Sequence, residues 1–242
     1  MNNDTIAEPN SQTYYKIYKP FFEKIESYIP ASITPNMITI TNFILINILF
    51  FSKLYYNPFI FSLVVFLYWI LDNIDGIHAR RTKQSSKIGE TLDHCIDGYT
   101  SVLFTFMFFR LFGVEMNYIF LFIFLLAFNL GHITGKYTKS LPLHFKFGYF
   151  EISIDDLFLI GIFVPYLKYL NFKKGFSVGI NILSILFLVI IASKTINLVK
   201  MRAKPIDLIG TYAVTSSYYY IKNPIIIAII QVLFCFYTIH TR

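Results

Sequence analysis

The feature that most constrains this chain is a series of long, unbroken apolar blocks. Val178 to Leu198 reads VGINILSILFLVIIASKTINL, and Pro224 to Ile239 reads PIIIAIIQVLFCFYTI. Blocks of this length, without an amphipathic stripe, are read as helices that cross a bilayer, because each backbone group must be satisfied within its own segment. A membrane barrel would need strict alternation, and none is present. Only 14% of the residues are charged, too few for a soluble domain of 242 residues. The expected fold is therefore an all-α polytopic membrane protein with about seven transmembrane helices.

The expected spans are Pro35–Phe51, Pro58–Leu71, Asp93–Leu111, Tyr118–His132, Ile154–Leu170, Val178–Leu198 and Pro224–Ile239. Pro205 to Lys222 reads either as a half-span or as a surface helix. Residues 1–12 are polar and acidic, unlike a secretory signal, and read as a disordered head. Residues 13–30 mix aromatic residues with Lys16, Lys19, Glu23, Lys24 and Glu26, which suits an amphipathic helix lying on the lipid headgroups. Pro35 is placed to start a helix.

The net charge of +7 does not call for nucleic acid. Basic loops facing anionic lipid account for it. With the N-terminus in the cytosol, Arg80, Arg81, Lys83, Lys87, Lys136, Lys200 and Arg202 fall inside, and few basic residues fall outside. Cys95 and Cys235 lie in apolar surroundings without metal-ligand spacing and read as packing residues.

Against this apolar background stands LDNIDGIHARRTKQSSKIGETLDHCIDGY, Leu71 to Tyr99. Asp72, Asp75, Gly76, Ala79 and Arg80 share one helix face, as do Gly89, Asp93 and Asp97. Two helix ends joined by a short loop can thus turn four aspartates toward each other. A single aspartate at a helix end is usually a cap or a solvated charge. Four at these spacings, framed by small residues and an arginine, are not. Their mutual repulsion calls for a cation, and hard oxygen ligands suit Mg²⁺, Mn²⁺ or Ca²⁺ rather than Zn²⁺. A pair of such ions about 4 Å apart clamps a diphosphate for in-line displacement. Small residues at 76, 79 and 89 would admit a nucleotide, and Arg80 can pair with phosphate oxygens.

The segment resembles the signature of the CDP-alcohol phosphotransferases: D75-G-I-H-A79-R80, eight residues, then G89-E-T-L-D93-H-C-I-D97, with Asp72 leading. It is most similar to the choline/ethanolamine phosphotransferase branch, whose DxxDGKQARRT and GELFDHGxD parallel DNIDGIHARRT and GETLDHCID here. Pro35, Asn36 and Thr39 match that branch's P-N-x-x-T. The likeness covers roughly the first 100 residues and thins beyond them.

The resemblance implies transfer of phosphocholine or phosphoethanolamine from CDP-choline or CDP-ethanolamine to diacylglycerol, with CMP leaving. It implies two Mg²⁺ or Mn²⁺ ions on Asp72, Asp75, Asp93 and Asp97. The nucleotide would lie near Asn36, Thr39, Gly76, Ala79, Arg80 and Gly89. His94 is the candidate general base for the lipid hydroxyl, with a structural hydrogen bond as its alternative role. Asp97 is the usual candidate base in the wider family. Headgroup candidates are Glu90, Tyr137 and Glu151, each also an ordinary interfacial residue. Residues 31–135 would form the catalytic core, and residues 136–242 the acceptor-lipid region and a homodimer surface. The implied location is the endoplasmic reticulum membrane, with the site facing the cytosol. The family's Lys-Gln is Ile77-His78 here. His78 either approaches the nucleotide or faces the headgroups, the second being favoured. His132 and His144 find no role, and Asp155 and Asp156 suit a helix cap. Two rivals are phosphatidylinositol synthesis, or another CDP-alcohol reaction, and an ion or proton transporter. The Asp93-His94 pair weighs against the first and the Gly/Ala/Arg frame against the second.

Overall fold

A computed structural model describes residues 17–138, 145–147, 150–152, 162–170 and 173–240. The helices in chain order are α1 (Lys19–Glu26), α2 (Pro35–Phe51), α3 (Pro58–Arg81), α4 (Lys87–Leu111), α5 (Tyr118–Thr138), α6 (Lys173–Lys200), α7 (Pro205–Tyr220) and α8 (Pro224–His240). Short 3-10 turns lie at Leu54–Tyr56 and Val164–Leu170. One small departure from an all-helical chain is a hairpin of β1 (Phe145–Phe147) and β2 (Phe150–Ile152), paired antiparallel with Lys146 opposite Glu151.

The helix starts follow from local chemistry. Thr34, Asn57 and Asn223 each precede a proline. Thr34 Oγ1 accepts from Met37 N at 3.3 Å, Asn57 Oδ1 from Phe59 N at 2.9 Å, and Asn223 Oδ1 from Ile225 N at 3.0 Å. The side chain satisfies an orphan N–H, and the proline occupies the first turn, where its missing N–H costs nothing. Ser86 caps α4 by accepting from Gly89 N at 3.0 Å. At the end of α3 the chain turns through Lys83 at φ 58°, and Gln84 N reaches back to Ala79 O at 2.9 Å. This left-handed residue stops the helix and redirects the chain into α4 within a few residues.

Apart from the fifth, each expected span lies within a helix, and α3 runs ten residues beyond the expected end at Leu71. Of Ile154–Leu170 only residues 162–170 are described, and Asp155 and Asp156 lie outside the described residues, as do the head at 1–12 and His144. The ambiguous segment after Pro205 is the helix α7, with Asp207, Thr211, Thr215 and Tyr218 on its buried face. α3 and α6 are long and apolar enough to cross a membrane, with mean hydropathy of 1.6 and 2.4 over their best windows. Val178, Ile182, Ile185 and Val189 stand exposed on α6, an apolar surface of the kind that lipid covers. These two helices and the exposed apolar face suit an integral membrane protein.

α2 packs against both α3 and α4, and α4 lies along α8. Ile46, Phe61, Val65, Tyr68, Leu103 and Met107 fill the core between them. α5 packs against α6 and α7 through Leu126, Leu130, Ile133 and Ile190. In lipid, burial of apolar surface drives helix association weakly, so small residues and interhelical hydrogen bonds carry more of the specificity. Both are present. Gly98 lets α4 meet α8 so closely that a Cβ there would lie 2.8 Å from Cys235 Sγ. Gln231 on α8 donates to Asn129 Oδ1 on α5 at 2.6 Å and accepts from Tyr218 OH on α7 at 2.8 Å. Cys95 and Cys235 are buried free thiols.

α1 lies across the polar end of α3. Phe22 is buried edge-on against Trp69, with ring centroids 4.8 Å apart.

Candidate active site

α3 runs unbroken through Asp72 and Asp75 to Arg81, and α4 begins before Asp93. Inward-facing carboxylates do not interrupt a helix whose backbone is satisfied internally, so the aspartates sit within the two helices rather than beyond their ends.

An open cleft of about 220 Å³ lies where α2, α3 and α4 meet. Its walls include Pro35, Asn36 and Thr39 from α2, and Asp75, Gly76, Ala79 and Arg80 from α3. Gln84, Ser85 and Ser86 close the turn between helices, and Gly89, Glu90 and Asp93 complete it from α4. All six residues expected around the nucleotide therefore line one cleft, with two of the four aspartates. The small residues matter sterically. A Cβ at Gly89 would lie 3.0 Å from Asn36 Oδ1, and one at Gly76 would lie 3.4 Å from Arg80 Nη1. The Gly76 distance is ordinary van der Waals contact, so the tight approach is the one at Gly89.

The other two aspartates lie one turn farther from the loop on each helix. Asp72 and Asp97 lie near each other across α3 and α4. Tyr68 OH donates to Asp97 Oδ1 at 2.9 Å, and Thr39 Oγ1 donates to Asp75 Oδ2 at 2.6 Å. Asp93, His94 and Asp97 can each offer a ligand atom, and these lie within 4.8 Å of one another. Among the described residues no lysine or arginine pairs with any of the four aspartates. Four convergent carboxylates, two of them held by neutral hydroxyls and none paired with a lysine or arginine among the described residues, fit hard divalent cations.

His94 is partly buried, with Nδ1 3.6 Å from Asp93 Oδ2. Its ring meets His132 of α5 edge to face, with centroids 5.2 Å apart, and His132 in turn packs on Phe128. Sequence reasoning missed Tyr68 and His132. Tyr68 lies four residues before Asp72, on the same helix face. His132 is an ionisable residue within an apolar span, a functional signal in itself.

The headgroup candidates separate. Glu90 lines the cleft. Tyr137 does not: its hydroxyl donates to Asp207 Oδ2 at 2.6 Å and accepts from Lys204 N at 2.9 Å. The Glu151 side chain lies outside the described residues. The expectation that His78 faces the headgroups is corrected. It is fully buried, with Nδ1 2.7 Å from Glu26 Oε1 and Nε2 2.7 Å from Ile33 O. A buried carboxylate and a backbone carbonyl satisfy both nitrogens of a ring that the α1 connector covers.

Comparison with known proteins agrees with this geometry. The chain is 35% identical over 123 residues to choline/ethanolaminephosphotransferase 1 of Saccharomyces cerevisiae, covering 46% of this chain and 32% of that protein. It is 35% identical over 98 residues to cholinephosphotransferase 1 of the same yeast, covering 36% of this chain and 25% of that protein. Human ethanolaminephosphotransferase 1 is 26% identical over 180 residues, covering 64% of this chain and 45% of that protein. The chain thus spans less than half the length of each of these relatives. The match to CDP-alcohol phosphatidyltransferase runs over residues 32–239, from the cap of α2 to the end of α8. With its signature aspartates gathered where α3 and α4 converge, the chain belongs to the CDP-alcohol phosphatidyltransferase family.

Proposed function

We propose that the protein transfers phosphocholine or phosphoethanolamine from its CDP-activated form to diacylglycerol, giving phosphatidylcholine or phosphatidylethanolamine and CMP. The observation that carries this reading is the single cleft that joins Asn36, Thr39, Gly76, Ala79, Arg80 and Gly89 to Asp75 and Asp93, with His94 next in sequence to Asp93. The names of the yeast and human relatives support the choice of an aminoalcohol.

In this reading the cytidine diphosphate lies along the small residues of α3 and α4. Arg80 pairs with phosphate oxygens as a planar donor fork. Mg²⁺ or Mn²⁺ held by Asp72, Asp75, Asp93 and Asp97 would neutralise the diphosphate and ease departure of CMP. The diacylglycerol hydroxyl oxygen forms a bond to the phosphorus that carries the aminoalcohol. The bond from that phosphorus to the bridging oxygen breaks, and the oxygen leaves on CMP. His94 takes the hydroxyl proton. Glu90 at the cleft wall is a candidate partner for the aminoalcohol cation.

The distribution of lysine and arginine supports a cytosolic site, and phospholipid synthesis of this kind suits the endoplasmic reticulum. The C-terminal half would hold the acceptor lipid and a homodimer surface.

Membranes containing the protein, given diacylglycerol and labelled CDP-choline or CDP-ethanolamine, should form labelled phospholipid only with Mg²⁺ or Mn²⁺. Label entering lipid only from myo-inositol plus CDP-diacylglycerol would overturn the aminoalcohol reading.

A further inference from the structure

The connector between α1 and α2 is gripped by the far end of α3. His78 Nε2 donates to Ile33 O at 2.7 Å, since a carbonyl can only accept. Arg81 Nη2 donates to Ile29 O at 2.7 Å, and Gln84 Nε2 to Ala31 O at 3.1 Å. Three alternate carbonyls of the connector thus each receive a donor from α3 or the turn that follows it. Glu26, at the end of α1, closes the grip. Its Oε1 meets both His78 Nδ1, at 2.7 Å, and Arg81 Nε. His78 is 0% exposed and Glu26 only 2%.

What the grip holds is the wall of the active site. Ile33 is followed at once by Thr34, the cap of α2, and then by Pro35, Asn36 and Thr39, which line the cleft. Residues 78–81 divide their work: Ala79 and Arg80 face the cleft, while His78 and Arg81 hold the connector. The opposing walls are close enough for displacement to matter, given the 3.0 Å between Asn36 Oδ1 and a Cβ built on Gly89.

We propose that His78 is a positioning residue for the nucleotide. By joining Glu26 to the Ile33 carbonyl, it fixes the α2 wall, with Asn36 and Thr39, against the wall formed by α3 and α4. The inference rests on the functional reading above for its ligand. Its geometry was not legible in sequence, because Glu26 lies far from His78 along the chain.

The test compares His78→Leu and His78→Gln in the full chain, purified with lipid and Mg²⁺. CMP binding, the KM of each substrate and thermal stability are measured. His78→Leu should weaken CMP binding and raise the KM for the CDP-aminoalcohol about tenfold, leaving the diacylglycerol KM within about twofold. His78→Gln keeps a donor for the Ile33 carbonyl and should recover most of the loss. If His78→Leu lowers thermal stability alone and CMP binding is unchanged, the residue is only an anchor for α1 and the proposal fails. Should His78→Leu not fold, Glu26→Gln weakens the partner that holds His78 Nδ1 and lies outside the cleft. It should weaken CMP binding about threefold, and unchanged binding would overturn the proposal. If the wild-type protein binds CMP but transfers neither aminoalcohol, the functional reading fails while the positioning role is still decided by CMP affinity.

Discussion

Thr39 Oγ1 on α2 donates to Asp75 Oδ2 on α3 at 2.6 Å, so one residue both lines the cleft and orients a carboxylate proposed to hold metal. A ligand carboxylate held from behind keeps its free oxygen aimed inward. Thr39→Val preserves shape and removes the bond. It should raise the Mg²⁺ concentration for half-maximal transfer about 10-fold or more. A metal titration of transfer activity checks this, and an unchanged midpoint would assign Thr39 to packing.

His94→Ala should lower turnover by about 10²–10⁴ while leaving CMP binding near the wild-type value, as expected for loss of a general base. Asp93→Ala should abolish Mg²⁺-dependent transfer altogether. If His94→Ala retains near-normal turnover while Asp93→Ala loses it, the base is another group.

Gly98 sits where α4 meets α8, and an added Cβ would fall 2.8 Å from the buried Cys235 Sγ. Gly98→Ala should therefore destabilise the protein by about 1–3 kcal/mol through overpacking. Cys235→Ala in the same chain should restore part of that loss. Thermal unfolding in detergent of the two single variants and the double variant measures the coupling.

Gln231 links Asn129, Tyr218 and Cys235 within the bundle. Gln231→Leu leaves Asn129 and Tyr218 short of partners and should cost about 1–2 kcal/mol. Gln231→Leu combined with Asn129→Leu should cost less than the sum of the two single changes. Additive losses would show that the bonds act independently.

The parts of this fold that were legible in sequence are those dictated by short-range chemistry. The Thr-Pro and Asn-Pro pairs at 34, 57 and 223 mark helix starts, and the spacing from Asp72 to Asp97 marks two facing helix surfaces. Contacts between distant segments were not legible. Span two was expected to stop at Leu71, yet α3 continues to Arg81, because the cleft rather than solvent receives its charged face. His78 looked like a headgroup residue, but Glu26 and Ile33 enclose it. Tyr137 looked available for substrate until Asp207 of α7 took its hydroxyl. In each case the deciding partner lies tens of residues away, beyond the reach of periodicity or local propensity.

The turn at Lys83 has a mechanical meaning. Asp72 and Asp75 precede it, Asp93 and Asp97 follow it, and only Thr82–Ser86 separates the two helices. The two sets of carboxylates are therefore tethered at the loop end of α3 and α4. A swing of the helices about this turn would displace Asp72 and Asp97, the pair farther from the loop, more than Asp75 and Asp93.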